Sequence, residues 1–122
     1  MTKTERVKFI QHKWRQLLLL DFSCCSVHEA ITTINDAEKT IRAQPQSSVL
    51  ILTDVTDARY NLEVIEKLKQ FADGNTPYVK ASAVVGLDGL KKIVYNAVVM
   101  FTGRRLPVFE DVEKAKDWLI EQ

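Results

Sequence analysis

Apolar residues in this chain follow two different periods, and their alternation predicts a fold of strands and helices. Residues 17–20 and 49–52 are short continuous apolar runs, which are typical of strands covered on both faces. Apolar residues recur every three or four positions from residue 27 to 41 and from 62 to 72, and again over 90–101 and 112–120, which predicts four helices. With further strands over 6–12, 79–86 and 107–109, the predicted order is ββαβαβαβα.

This order predicts an α/β fold with a mostly parallel central sheet. Strands that alternate with helices are joined by right-handed crossovers, and the helices then cover the sheet. The first two strands are separated only by a short polar joint, so they are expected to form an antiparallel hairpin at one edge. We therefore predict one domain over residues 1–122, with helices on both faces of the sheet.

Cap residues and helix breakers predict where the helices begin and end. Ser26 is followed three residues later by Glu29, the spacing of a capping box. Asn61 suits the cap of the second helix, and Gly74 with Pro77 is expected to end it. The second helix is expected to turn its apolar stripe inward, namely Leu62, Ile65, Leu68, Phe71 and Ala72.

The third predicted helix is apolar beyond a single stripe. The stripe expected to face the core consists of Leu90, Ile93, Val94, Ala97, Val98 and Phe101. Tyr95 and Val99 would then lie together on the opposite face, with Arg104 and Arg105 beyond the helix end. Such a helix is either covered by neighbouring elements, or forms a dimer surface or a lid over an apolar ligand. In the last helix, Ala115, Trp118 and Leu119 are predicted to point inward.

Composition and charge narrow the function classes. The chain has 122 residues, of which 46% are hydrophobic and 27% charged, as is usual for a globular domain. Its net charge is +1, so the protein as a whole has no electrostatic field that would attract nucleic acid. We expect no transmembrane segment, because no apolar run is long enough. Cys24 and Cys25 are adjacent, so a disulfide between them would be strained, and two reduced thiols favour a cytoplasmic location.

Several segments together resemble the SpoIIAA-like, STAS-related proteins of bacteria. They are LLLLDFS, SVLILTDVTDARYNLEVIEKLKQFA, PYVKASAVVG, GLKKIVYNAVVMFTGR and LPVFEDVEKAKDWL, and the resemblance runs from about residue 6 to the end. It implies a small α/β domain related to anti-sigma-factor antagonists and, more distantly, to the lipid-carrying Sec14 domains. Antagonists of this type carry a phosphorylatable serine near the position of Tyr60 and Asn61. No serine stands there, and Thr56 is the nearest suitable hydroxyl, so a phosphorylation site is not carried over by position.

The segment LTDVTDARYN is predicted to lie at the carboxyl end of the third strand, where ligands bind in parallel α/β sheets. Asp54 would lie near Asp21, which follows the preceding strand. A receiver-type magnesium site would also need paired acids after the first parallel strand and a lysine at a late strand end, and both are missing. We therefore expect no metal there, and we favour a loop in which Asn61 caps the following helix.

A second candidate segment is VVGLDGLKK, over residues 84–92. Gly86 and Gly89 would let backbone amides approach an anion, and Lys91 with Lys92 would neutralise it at a helix start. Cations at a helix N-terminus oppose the helix dipole by about 0.3–1 kcal/mol each when exposed. The spacing matches no dinucleotide or P-loop motif, so solvated lysines beside a glycine turn are the preferred interpretation.

No pair of nucleophile and base stands out in the sequence. Cys24 precedes His28 by four residues without an orienting partner, and His12 lies in the predicted edge hairpin. An enzyme that uses Asp21 and Asp54 is a remote alternative, because no poised base is apparent beside them. We expect no cofactor.

The sequence thus favours a non-enzymatic regulatory or protein-interaction module, with a homodimer among its expected forms. The alternative is a carrier of a small lipophilic or anionic ligand, whose charged head would meet the basic residues around the third helix. The expected ligand or partner surface comprises Asp54, Thr56, Asp57, Arg59, Tyr60, Gly86, Gly89, Lys91, Lys92, Tyr95, Val99, Arg104 and Arg105.

Overall fold

A computed structural model describes residues 5–89, 91–104 and 106–122. The described residues form five strands and four helices in the predicted order. The strands are β1 (Val7–His12), β2 (Arg15–Asp21), β3 (Val49–Asp54), β4 (Val79–Val85) and β5 (Val108–Phe109). The helices are α1 (Val27–Arg42), α2 (Leu62–Asn75), α3 (Lys91–Thr102) and α4 (Val112–Ile120). β3 extends two residues beyond the apolar run that predicted it.

The five strands form one sheet in the order β1-β2-β3-β4-β5. β1 pairs antiparallel with β2, and every later neighbour pair is parallel. Each parallel crossover moves one strand in the same direction, so right-handed connections put α1, α2 and α3 on one face of the sheet. α4 follows the last strand and packs on the other face. The predicted mixed sheet with helices on both faces is confirmed.

Two apolar cores lie on the two faces, because successive residues of a strand point to opposite sides. Leu18, Leu20 and Ile51 face α1 and α2. Leu17, Leu50 and Leu52 on the same strands face α4 instead, together with Ala83 and Val85 of β4. The continuous apolar runs at residues 17–20 and 49–52 therefore serve both cores at once.

The predicted caps of α1 and α2 are present. The Ser26 side chain accepts a hydrogen bond from the Glu29 amide, and the Glu29 carboxylate accepts one from the Ser26 amide, so the capping box is complete. Asn61 caps α2 by accepting from the Val64 amide at 2.9 Å.

α2 differs from its prediction in its end and in its inward face. Gly74 lies within the helix, which ends at Asn75. Leu62 is 81% exposed, whereas Val64, Phe71, Ala72 and Asn75 are buried. The apolar pattern would have placed the polar Asn75 outside. It can lie on the inward stripe because its side-chain oxygen accepts a hydrogen bond from Arg42 Nε at 3.2 Å.

α3 is rotated relative to the predicted stripe. Ile93 and Phe101, both expected inside, are 66% and 49% exposed, while Val94 and Val98 are buried. The side chain of Lys91 lies inward with them, which a hydrophobic pattern could not predict. Leu90 and Arg105 lie outside the described residues. In α4, Ala115 and Leu119 are buried as predicted, and Trp118 is half-buried against Phe109, with ring centroids 5.8 Å apart.

Over the part of the chain that the structure describes, no helix combines the length and the apolar character needed to cross a bilayer.

Candidate functional site

The two acidic strand ends lie side by side, as predicted. Asp21 and Asp54 are partners in the parallel register of β2 and β3. The Asp54 carboxylate accepts hydrogen bonds from the Thr56 amide and hydroxyl at 3.0 and 2.7 Å, and the Asp21 carboxylate accepts from the amide and hydroxyl of Ser23. Each acid therefore stabilises its own turn, in the manner of an Asx turn.

The two candidate segments from the sequence meet at this edge of the sheet. The Val55 amide donates to the Val85 carbonyl at 3.0 Å, which joins the β3–α2 loop to the end of β4. Gly86 has a φ of +82°, and a Cβ atom there would lie 2.6 Å from the Thr56 amide nitrogen. A glycine is needed at position 86 because the backbone has a positive φ and Thr56 approaches it closely. At Gly89, by contrast, a Cβ atom would meet only open space.

The β3–α2 loop is attached to the β2–α1 loop through its backbone. The Cys24 amide donates to the Thr56 carbonyl at 2.8 Å, and the Arg59 amide donates to the Cys25 carbonyl at 3.1 Å. The side chains of Thr56, Asp57 and Arg59 are exposed. Thr56 donates its hydroxyl to Asp54 and is accessible at the surface.

Lys91 and Lys92 differ in their surroundings. Lys91 is only 7% exposed; its Nζ lies 2.6 Å from Asp88 Oδ2, and its amide donates to Asp88 Oδ1 at 3.0 Å. The expectation of a solvated lysine is therefore wrong for Lys91, because Asp88 holds its charge at the start of α3. Lys92 is exposed, as expected.

A cavity of about 140 Å³ lies between the sheet and the helices α2 and α3. Its wall is mainly apolar and is formed by strand residues together with residues of both helices. The sheet and the β3–α2 loop contribute Leu20, Ile51, Thr53, Val55, Ala58, Arg59, Tyr60, Ser82 and Val84, and Leu87 follows β4. The helices and the segment after α3 contribute Val64, Leu68, Phe71, Ala72, Asn75, Lys91, Val94, Tyr95, Val98, Arg104 and Leu106, and Phe22, Cys25 and Ala30 complete the wall.

Arg104, a site residue predicted from the sequence, lies in the wall of the cavity. It lies just past α3, half-buried, and its NH1 donates to the Ala72 carbonyl at 2.7 Å. Burial lowers the pKa of the Arg104 guanidinium, against the opposing effect of the Asp73 charge. Among the described residues, no carboxylate lies within ion-pairing distance of Arg104.

Tyr95 and Val99 do not form the outer face of α3. Tyr95 lines the cavity and donates its hydroxyl to the Leu106 carbonyl, and Val99 is half-buried. The exposed apolar side chains of α3 are instead Ile93, Met100 and Phe101, and Met100 is 84% exposed.

Sequence reasoning missed the sheet wall of the cavity and three polar residues in it. Cys25, Asn75 and Ser82 are buried and line the cavity. Ser82 lies in a strand, Asn75 ends α2 and Cys25 lies in the loop before α1, so no common pattern in the sequence marks these three polar residues as buried. Burial raises the pKa of the Cys25 thiol.

Within residues 5–89, 91–104 and 106–122, no three or more His, Cys, Asp or Glu side chains are grouped so that they could hold a metal ion. Comparisons of the chain with protein-family models, with curated proteins and with solved structures find no match. The similarity to SpoIIAA-like proteins therefore stays a prediction from the sequence.

Proposed function

We propose that this protein binds a small, largely apolar molecule in the cavity between its sheet and the helices α2 and α3. The observation that carries the proposal is the cavity itself, whose wall is apolar with a few polar side chains. Ligand sites in proteins typically have this composition, since apolar contacts supply affinity and a few polar groups fix orientation.

The position of the cavity within the fold supports the same proposal. All three segments expected to form the working surface contribute to its wall: the β3–α2 loop through Arg59 and Tyr60, the β4–α3 turn through Leu87, and α3 through Val94 and Val98. The cavity also reaches the carboxyl ends of the strands, where α/β sheets commonly bind ligands.

This function corresponds to the carrier alternative raised from the sequence. The resemblance to SpoIIAA-like proteins, with its distant link to lipid-carrying Sec14 domains, favours it over catalysis. In addition, both strand-end acids have their carboxylates engaged by their own turns. A non-enzymatic binder, acting as a carrier or as a ligand-responsive regulator, is the role we propose.

The first test is native mass spectrometry of freshly purified protein, followed by measurement of the same sample after denaturation. A mass excess that disappears on denaturation identifies a bound molecule and gives its mass. Titration with 1-octanol, followed by amide NMR shifts, then tests binding directly. We expect saturable shifts at cavity residues such as Val64 and Val98.

A pair of substitutions in α3 provides the control for this test. Val98→Phe fills the cavity and should abolish 1-octanol binding, because Val98 is buried in its wall. Met100→Phe adds the same ring on the exposed face of the same helix and should leave binding unchanged. Absence of saturable binding in the unaltered protein, or equal binding by both variants, would refute the proposal.

The exposed face of α3 favours a second candidate function, that of an interaction module which pairs with a second copy of itself. Ile93, Met100 and Phe101 are exposed apolar side chains on one helix, and exposed apolar surface can mark an interface. Sedimentation equilibrium over a range of concentrations tests it. A dimer that dissociates on Met100→Lys supports this function, and a monomer at every concentration rejects it.

A further inference from the structure

We infer that the ligand of the cavity is a short-chain or medium-chain carboxylic acid whose carboxylate binds Arg104 and whose tail extends along the cavity toward the β3–α2 loop. The inference rests on the proposed function, since it assigns a chemical class to the molecule that the cavity would hold.

The charge on the cavity wall is one-sided. Of the described residues that line it, Arg59, Lys91 and Arg104 are cationic, and none is an aspartate or a glutamate. A wall of this kind attracts an anion and disfavours an amine. An apolar ligand with a negative head therefore matches the cavity better than a neutral or a cationic one.

The three cations are not equivalent. Lys91 is held by Asp88 at 2.6 Å, so its charge is already compensated. Arg59 is exposed and therefore hydrated, which weakens its attraction for an anion. Arg104 is half-buried, and although the charge of Asp73 acts on it, no carboxylate of the described residues forms an ion pair with it, so its charge is the one that a ligand would compensate best.

The hydrogen-bonding capacity of Arg104 points to the same end of the cavity. A guanidinium carries five N–H donors, and the hydrogen bond from NH1 to the Ala72 carbonyl engages one side of it. The remaining fork has the planar geometry that binds a carboxylate through two parallel hydrogen bonds.

Two buried polar side chains contribute to the wall of the cavity, and one of them, Asn75, lies near the Ala72 carbonyl that Arg104 contacts. Asn75 lies one turn after Ala72 in α2, and Ser82 is the central residue of β4. Both line the cavity together with Arg104. The wall toward the middle of α2 and α3 is apolar, with Val64, Leu68, Val94 and Val98, and suits a hydrocarbon tail.

The size of the cavity limits the length of the tail. An apolar protein cavity of about 150 Å³ accommodates benzene. At about 140 Å³, this cavity would hold a ring or a folded chain of roughly six to eight carbons, with the head at Arg104. Octanoate is therefore a suitable probe, and 1-octanol and octylamine have the same tail with a neutral and a cationic head.

The decisive experiment compares the dissociation constants of octanoate, 1-octanol and octylamine for the unaltered protein at pH 7. We expect octanoate to bind about 10-fold to 100-fold more tightly than 1-octanol, as a charged hydrogen bond to Arg104 implies, and octylamine to bind most weakly. Arg104→Gln should remove most of the difference in affinity between octanoate and 1-octanol, because the charged partner of the carboxylate is lost. Lys92→Gln, at an exposed lysine outside the cavity wall, should change neither.

The outcomes separate this inference from the proposed function. If 1-octanol binds as tightly as octanoate, or if the octanoate preference survives in Arg104→Gln, the inference is wrong while the cavity remains a binding site. If none of the three probes binds, both fail. The comparison on the unaltered protein stands even if Arg104→Gln does not fold, and Arg104→Lys, which keeps the charge, should then retain a preference for octanoate.

Discussion

At the scale of single residues, neighbours in the chain can have opposite environments, and the two cysteines are an example. Cys24 is exposed at a φ of +53°, whereas Cys25 is fully buried and lines the cavity. Burial raises the pKa of the Cys25 thiol, which lowers its thiolate fraction at neutral pH. The sequence pair Cys-Cys gave no indication of this difference, because it depends on the left-handed turn at Cys24.

We predict that iodoacetamide at pH 7.5 modifies one thiol per native molecule, at Cys24, and both thiols after denaturation. Thiolate is the reacting species, and Cys25 is both less ionised and inaccessible. Intact-mass spectrometry over time measures the number of adducts. The Cys24→Ser variant should remain unmodified while folded; rapid modification of that variant would show that Cys25 is accessible.

Gly86 provides a second prediction at this scale. Its φ is +82°, and a Cβ atom at this position would lie only 2.6 Å from the Thr56 amide nitrogen, so there is no room for a side chain. Gly86→Ala should lower the free energy of unfolding by about 1–3 kcal/mol, as strained left-handed residues do. Urea unfolding followed by circular dichroism measures this loss.

Gly89→Ala is the matched control for that substitution. A Cβ atom at Gly89 would meet nothing within 4 Å, so this variant should stay within about 0.5 kcal/mol of the unaltered protein. Equal effects of the two substitutions would contradict the structural role assigned to Gly86.

At the scale of elements, α4 is linked to the edge hairpin through one carboxylate. Asp117 of α4 lies 2.7 Å from His12 Nε2 and 2.8 Å from Lys13 Nζ. The pKa of Asp117 is lowered, most strongly by the hydrogen bond from His12 and next by the one from Lys13. The contact joins the edge strand β1 and the turn after it to the last helix.

This link predicts a pH dependence of stability. Because the pKa of Asp117 is lower in the folded state than its ordinary value of 3.8, its stabilising effect is present above that value and is lost as the pH falls through the folded-state pKa. Asp117→Asn should therefore lower the melting temperature at pH 7, and the difference from the unaltered protein should shrink in acid. Melting curves from pH 7 to pH 2.5 measure it, with the exposed Glu110→Gln as the control. A difference that stays constant across this range would argue against the link.

The elements were largely predictable because local signals define them. The α4 boundaries and the capping box of Ser26 and Glu29 follow from short-range chemistry, and the structure confirms both. The face of α3 was not predictable, because apolar residues occupy most positions from Ile93 to Phe101 and several rotations fit the pattern equally well. In the rotation that the structure shows, Lys91 lies inward and its charge is paired with Asp88, a contact that the apolar pattern does not reveal.

At the scale of the whole molecule, the sequence predicted which segments meet but not the space between them. Parallel strands end at one edge, which brings Asp54 beside Asp21 and Thr56 beside Gly86. The cavity depends on how far α2 and α3 stand from the sheet. Its walls are formed by residues that are distant in sequence, such as Ser82 and Val98. No local pattern reports such a distance.

The two faces of the sheet should therefore respond differently to added volume. Ala72 in α2 lines the cavity, whereas Ala115 in α4 is fully buried in the core on the other face. Overfilling a packed core usually costs about 1–3 kcal/mol, so Ala115→Leu should lower the free energy of unfolding by that amount. Ala72→Leu makes the same change at a helical alanine with space beside it, and should leave the free energy of unfolding within about 1 kcal/mol.

Urea unfolding of the two variants decides whether this difference exists, and 1-octanol titration connects it to function. Ala72→Leu occupies part of the cavity, so it should weaken 1-octanol binding while the protein stays folded. Ala115→Leu lies on the far side of the sheet and should leave binding unchanged wherever the variant is folded. If Ala72→Leu proved as destabilising as Ala115→Leu, the space beneath α2 and α3 would not be available to a ligand, and the binding function would fail with it.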